Sequence, residues 1–155
     1  MSTVVVEAMP EHVPLIMADV RQADIDELYA ASEITPELAM WKGLAVSTHA
    51  WVGFIDHEPV CMFGVVPRSV LSGRGIPWMI GTNALDRHAA EFLKGCRPQV
   101  AEMRSVYNLL ENYVDARNTK AIRWLRWLGF EIGPAQPHGP HAAPFHYFKL
   151  ETNDV

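Results

Sequence analysis

The sequence is poor in cysteine, in basic charge and in long apolar runs, and each shortage excludes a class of protein. The two cysteines, Cys61 and Cys96, have no CxxC spacing, which argues against a disulfide framework or a cysteine zinc site. With 13 basic and 18 acidic side chains, the net charge of −5 disfavours a broad surface for nucleic acid or anionic membranes. No apolar run approaches the ~20 residues that span a bilayer. The first ten residues lack the basic cluster of a secretion signal, so we expect a cytoplasmic protein that binds neither membrane nor nucleic acid.

The length and composition fit one globular domain. The chain has 155 residues, of which 49% are hydrophobic. A chain of this size buries ~70% of the surface that its unfolded form exposes, so it can fold without a metal or a second domain. Since no repeat and no long linker divides the sequence, we expect a single domain over residues 1–155.

Apolar spacing predicts a strand and two helices at the start of the chain. The β-branched run at residues 3–8 predicts a strand. Apolar positions three and four residues apart predict one amphipathic helix over residues 11–31. Thr35 and Pro36 then provide an N-cap and a first helical residue for a second helix, which ends near Val46.

A hairpin and a third strand are predicted next. Two apolar runs, at residues 50–55 and 60–66, enclose a four-residue polar turn at 56–59. A loop over residues 67–75 precedes a short strand at 76–80, where Pro77 indicates a strand start at an edge or a bulge.

The second half alternates helices and strands. A helix interrupted at Pro98, a strand centred on Tyr113 and a helix ended by a C-cap glycine at Gly129 are expected. The remaining segments are a helix over 84–103 that contains Pro98, a strand within 105–115, a helix over 119–128, a strand at 130–132, a loop over 133–144 and a strand at 145–150. The order β-α-α-β-β-β-α-β-α-β-β predicts an α/β fold, a mixed sheet with helices on its faces.

One motif in the second half resembles a known family. Asn118, Ala121 and the pair Gly129-Phe130 stand at the spacing of a signature of the GNAT acyltransferase superfamily. The segment 110–118 and the helix after it also resemble small GNAT-like proteins encoded by tailed phages and prophages, including internal virion proteins. The resemblance implies a GNAT-like fold over nearly the whole chain.

The resemblance also implies a site for acetyl-CoA between strands four and five. In this arrangement the pantetheine arm lies on strand-four backbone, and the pyrophosphate lies at the start of the next helix, where backbone amides attract anions. The residues at these positions are Met79, Ile80, Gly81, Thr82, Asn83, Arg87 and Asn118. Two positions depart from the family pattern: the phosphate loop has one glycine, and Leu125 stands where many relatives have a tyrosine that protonates the departing thiolate.

Catalytic candidates cluster on the strand before Asn118. Glu111, Tyr113 and Asp115 share one face of that strand, because strand side chains alternate. The candidate bases toward an amine are Glu111, Asp115 and His146, and Tyr113 is a substitute acid. The alternatives are a solvated strand end for the carboxylates, a packed ring for Tyr113 and helix capping for Asn118. The histidines near residues 138–146 lack cysteine or carboxylate partners, so no metal is predicted.

Two functions from different classes remain open. The first is an N-acyltransferase that uses acyl-CoA and an amine, with a degenerate cofactor loop. The second is a non-catalytic structural or accessory protein that contacts other phage virion proteins. The protein would act in the host cytoplasm, or packaged in or attached to the virion, and its five tryptophans make a homodimer plausible.

Overall fold

A computed structural model describes residues 2–152 and contains one seven-stranded mixed sheet. Its strand order is β1-β2-β3-β4-β5-β7-β6. The strands are β1 (Thr3–Glu7), β2 (His49–Ile55), β3 (Glu58–Ser69), β4 (Arg74–Gly81), β5 (Leu109–Asp115), β6 (Glu131–His138) and β7 (Ala143–Glu151). The helices are a 3-10 turn (Pro10–His12), α1 (Val13–Met17), α2 (Gln22–Ser32), α3 (Pro36–Val46), α4 (Asn83–Gly95), α5 (Arg97–Val106) and α6 (Thr119–Trp127). The predicted α/β fold class with a mixed sheet is confirmed, and seven strands follow one another along the chain as predicted.

The first predicted helix is wrong in one respect. Residues 11–31 form a 3-10 turn and two helices, α1 and α2, instead of one continuous helix. The chain leaves helical geometry at Arg21, whose backbone N–H donates to the carbonyl of Gly81 at 2.9 Å, so a contact with β4 replaces a helical bond. The α3 prediction is confirmed, since the hydroxyl of Thr35 accepts from the N–H of Leu38.

The predicted turns and loops are shorter in the structure. The β2–β3 turn has two residues, Asp56 and His57, and both have positive φ, which matches the right-handed twist of a hairpin. Strand pairing also extends into the predicted loop at 67–75, since β3 runs to Ser69 and β4 begins at Arg74. Half of the predicted 133–144 loop, residues 133–138, belongs to β6, which pairs with β7 despite its prolines because β6 is an edge strand.

The helix ends in the second half follow the predicted signals. The 84–103 helix divides at Cys96 into α4 and α5, and Pro98 lies in the first turn of α5. After α6, Gly129 has φ of 101° and donates to Arg126, while Phe130 donates to Leu125. This pair of bonds is a Schellman C-cap, so the expected role of Gly129 is confirmed.

Two apolar cores lie on opposite faces of the sheet, because adjacent residues of β3 point in opposite directions. Phe63 packs with side chains of α4, α5 and α6, whereas Met62 packs with Ile16 and Met40 from α1 and α3. Within residues 2–152, no helix is long and apolar enough to cross a membrane.

Candidate active-site cleft

Strands β4 and β5 are parallel neighbours that separate after two residue pairs. Only Arg74–Leu109 and Gly75–Leu110 are in register. Pro77 lies three residues into β4, inside the strand and not at its predicted start, and it has no N–H to donate to β5. The side-chain amide of Asn112 on β5 donates to the Pro77 carbonyl at 2.8 Å in place of a backbone bond. The strands therefore diverge toward their carboxyl ends.

The resulting β4–β5 cleft is a largely apolar cavity of about 120 Å³ that opens to solvent. Its walls include Met79, Val114, Leu125 and Phe148. Trp78 lines the cleft without filling it, because its indole N–H donates to the Ser47 hydroxyl at 2.9 Å and its ring covers Gly43. Tyr113 also leaves the cleft open, since its ring stacks on His138 with centroids 4.0 Å apart.

A polar cluster of Arg21, Asp24, Glu27 and Asn118 also lines the cleft, and Glu27 is half-buried whereas the other three are buried. Asp24 accepts from the Gly81 N–H at 2.8 Å and from the Arg21 guanidinium at 2.8 Å. Glu27 accepts from the backbone N–H of Asp115 at 2.8 Å. The Asn118 amide donates to both carboxylates, at 3.2 and 3.3 Å. Two carboxylates of α2, Asp24 and Glu27, thus accept hydrogen bonds from the backbone of β4 and β5, and Asn118 links the two carboxylates.

Burial changes the acidity of this polar cluster. It raises the pKa of Glu27 from 4.5 to about 7, although the hydrogen bond from Asp115 acts in the opposite direction. Burial also raises the pKa of Asp24, against the opposing charge of Arg21. Glu27 therefore exchanges a proton close to neutral pH, as a general base must.

The start of α4 is bonded to the α1–α2 junction. The backbone N–H of Asn83 donates to the carbonyl of Asp19 at 3.0 Å, and its side-chain amide donates to the Asp19 carboxylate at 2.7 Å. The Arg21 guanidinium donates to Asp86 at 2.9 Å and lies over the ring of Trp124. The Asn83 amide groups and the Arg21 guanidinium, which would attract an anion here, thus already have partners within the chain.

A second cavity, of about 370 Å³ and also open to solvent, adjoins the cleft. Asn112 and Tyr113 line both spaces. Glu111 is only 5% exposed in the second cavity, where it accepts from Arg74 at 2.6 Å and from the Tyr147 hydroxyl at 2.7 Å. The bond from Arg74 is the main cause that lowers the pKa of Glu111. Burial and the bond to Glu111 raise the pKa of Tyr147 to about 12.

No protein-family model matches the sequence, and no curated protein matches it. Solved structures do match the fold. A ribosomal-protein-alanine N-acetyltransferase from Brucella melitensis superposes with a TM-score of 0.72 at 14% identity, covering 96% of this chain and 99% of that chain. A GCN5-related N-acetyltransferase from Kribbella flavida gives 0.67 at 15% identity, covering 97% and 98%. An aminoglycoside acetyltransferase in complex with coenzyme A gives 0.69 at 15% identity, covering 97% and 95%. The chain has the GNAT fold.

The predicted cofactor residues of this GNAT fold divide between the cleft and its surroundings. Met79 and Asn118 line the cleft, and the backbone of Gly81 faces it. Ile80 packs in the core with α1 and α3, and the Thr82 hydroxyl donates to the Pro59 carbonyl. Asn83 is bonded to Asp19 as described above. Arg87 is exposed and pairs with Glu58 at 3.0 Å, beside the β2–β3 turn.

The predicted capping role of Asn118 is wrong. Its side chain makes no capping bond to α6, because the amide bonds Asp24 and Glu27 instead. Its place in the polar cluster ties the start of α6 to α2.

The predicted catalytic residues also separate. Glu111 and Tyr113 line the second cavity together. Asp115 is 1% exposed and pairs with Arg117 at 2.7 Å, outside the residues that line either space. Their catalytic roles stay predictions.

The charged groups on the α2 side of the cleft were not predicted from the sequence. Arg21, Asp24 and Glu27 are three residues apart, which places them on one helical face. That spacing was the available signal. The sequence contained no sign that this polar face would lie against β4 and β5 instead of water.

The described residues fit the acyl and pantetheine parts of an acyl-CoA but not its phosphate end. The apolar walls and the open edge of β4 fit an acyl group and the pantetheine arm. The phosphate end does not fit as it stands, because the carbonyl group and the carboxylate of Asp19 accept from the backbone N–H and the side-chain amide of Asn83 at the start of α4. The carboxylate of Asp86 adds negative charge beside them.

Proposed function

We propose that this GNAT-fold protein is an N-acyltransferase that moves an acyl group, such as acetyl, from acyl-CoA to an amine in the β4–β5 cleft. The observation that carries the proposal is the separation of β4 and β5 after Gly75 and Leu110, with an apolar cavity between them. The similar solved structures named above are N-acetyltransferases and an aminoglycoside acetyltransferase, and one of them holds coenzyme A.

A bound acyl-CoA would supply an activated acyl carbon, whose transfer forms an amide and releases the thiol, with one proton leaving the nitrogen and one reaching the sulfur. We assign proton removal to Glu27, whose pKa of about 7 suits a base at neutral pH. Glu111 is a weaker base, since Arg74 and Tyr147 hold it ionised. Tyr113 lines both spaces and is the acid in place of Leu125.

The polar cluster must rearrange for this activity. The Asp24 carboxylate competes for the Gly81 N–H that would otherwise be free to bind the pantetheine arm. Rearrangement at Arg21 would free the Gly81 carbonyl and the Asp86 carboxylate, to which Arg21 donates, and would remove the guanidinium that holds Asp24 against the Gly81 N–H. The α1–α2 junction therefore controls the mouth of the cleft in this proposal.

Calorimetric titration with acetyl-CoA tests the proposal. We expect micromolar binding by the wild type and tighter binding, by about fivefold or more, for Asp24→Ala, which removes the competing carboxylate. Asp24→Asn is the matched control, because its amide oxygen still accepts from Gly81. Absence of heat with both the wild type and Asp24→Ala at millimolar acetyl-CoA would contradict the acyltransferase proposal.

The same polar cluster favours one other function. If Asp24 and Arg21 occupy the cofactor position permanently, the protein is a non-catalytic accessory protein on the GNAT fold, as the resemblance to phage virion proteins suggested. In that case we expect the chain in stoichiometric amounts in purified phage particles or as a homodimer in the host cytoplasm. Quantitative mass spectrometry of particles and light scattering of the purified protein test these two expectations.

A further inference from the structure

The lining of the second cavity contains more positive than negative charge. Arg68 and Arg74 both direct Nε at one carboxylate oxygen of Glu111, at 3.6 and 2.6 Å. Two guanidinium groups therefore share a single carboxylate, and the other polar groups of the lining, Tyr147 and Gln136 among them, are neutral. One positive charge remains at this site.

The two arginine side chains are more accessible to a ligand than the Glu111 carboxylate that they contact. The Arg68 side chain is 54% exposed and the Arg74 side chain is 41% exposed, whereas Glu111 is only 5% exposed. In both contacts Nε is the atom that meets Glu111, and the terminal Nη groups of Arg68 and Arg74 make no hydrogen bond to this carboxylate. A guanidinium group can bind a carboxylate through two parallel N–H bonds, and such pairs are stronger than neutral hydrogen bonds.

The second cavity, with its excess positive charge, lies next to the cleft. Asn112 and Tyr113 form part of both linings, at the point where β4 and β5 separate. A small molecule held by Arg68 and Arg74 would therefore extend toward the cleft. Ile76 and Tyr113 add apolar surface for its carbon skeleton.

We propose that the acceptor of this protein is an amine that also carries a carboxylate, of the amino-acid class. Its carboxylate binds Arg68 and Arg74, and its amine lies beside Asn112 and Tyr113. The inference rests on the proposed acyltransferase function for its amine end, but the carboxylate site itself needs no cofactor. A simple polyamine is disfavoured, because the net positive charge of the cavity repels it.

The test measures acceptor binding without cofactor. The twenty L-amino acids are titrated singly against the full chain by thermal shift and then by calorimetry. The best ligand is then compared with its amide and with its decarboxylated amine, which keep the side chain and the amine and lose the negative charge of the carboxylate. We expect at least tenfold weaker binding of both analogues, and no binding of any amino acid at 10 mM would overturn the inference.

Variants identify the site. Arg68→Gln removes the more exposed guanidinium and keeps the Arg74–Glu111 pair, so the protein should fold and bind the amino acid at least fivefold more weakly. Its affinity for the neutral amide should not change. Arg104→Gln, an exposed arginine of α5 outside both linings, is the matched control. Equal affinity for the amino acid and its amide, or an equal loss in Arg68→Gln and Arg104→Gln, would overturn the inference.

The two proposals can fail separately. Amino-acid binding that depends on Arg68, together with no binding of acetyl-CoA by wild type or Asp24→Ala, would support the carboxylate site and contradict the acyltransferase function. Acetyl-CoA binding without any amino-acid binding would support the function and contradict this acceptor class.

Discussion

Replacement of Glu27 by glutamine should change how the stability of the protein depends on pH. The carboxyl has a pKa of about 7 in the folded chain against 4.5 for an ordinary glutamate, because burial beside Asp24 and Asp115 disfavours its charge. The folded state therefore holds this proton more tightly than the unfolded state does. Its stabilising contribution is complete below about pH 4.5 and is lost as pH rises through 7.

The size of the effect follows from the shift. A difference of roughly 2.5 pH units at about 1.4 kcal/mol per unit gives a loss of about 3 kcal/mol between pH 4.5 and pH 8. Glu27→Gln keeps an oxygen to accept from Asp115 and cannot ionise, so it should escape this loss. The variant should match the wild type near pH 4.5 and exceed its free energy of unfolding by about 3 kcal/mol at pH 8.

Urea denaturation at half-unit steps of pH measures this difference. The comparison must be made between variant and wild type, because Asp24 acts in the same direction as Glu27 and Glu111, with its lowered pKa, acts in the opposite direction. Glu7→Gln removes an exposed carboxyl of β1 and should leave the wild-type profile unchanged. Parallel curves for Glu27→Gln and the wild type would refute the assignment of a raised pKa to Glu27.

Three further predictions concern stability, each measured by thermal or urea unfolding. Gly129→Ala should lower the free energy of unfolding by about 1 kcal/mol, since φ is 101° and the new methyl would meet only Leu150 at 3.8 Å. Gly139→Ala should lower it by roughly twice as much, because φ is 79° and the new methyl would also collide with the Ala30 carbonyl. Equal losses would contradict the collision. Thr35→Ala should cost about 1 kcal/mol through loss of the N-cap bond to Leu38, and Thr35→Ser should not. Asn112→Ala should cost about 1–3 kcal/mol because it leaves the Pro77 carbonyl without its donor, and an unchanged melting temperature would rule out that bond.

The fold was predictable from local signals, and much of the site was not. Strand alternation, Pro36, Pro98 and Gly129 act through neighbours within a few residues, so their effects can be found in the sequence. The break between α1 and α2 depends on a contact between Arg21 and Gly81, sixty residues apart, which no local pattern contains.

Asn118 shows the same limit at the site. Its position between strand and helix favoured a cap, yet two carboxylates on α2 bind its amide in the structure. Glu27 was missed because its pKa depends on burial against β5, and burial of a charged residue is the exception in sequence statistics.

The short contact between β4 and β5 also divides the sheet into two halves, each formed by one continuous segment of the chain. Strands β1 to β4 come from residues 3–81 and pair only as antiparallel neighbours, and β5 to β7 come from residues 109–151 in the same way. Each half-sheet is therefore a continuous piece of polypeptide, and the parallel contact of two residue pairs is the place where the pieces meet in the sheet. Because this joint contains two residue pairs and every other pair of neighbouring strands contains five or more, each piece is stabilised more by its own pairing than by the joint, so the two pieces should form first and join last during folding. The cleft would then be the final feature of the protein to form and the first to open under denaturing conditions.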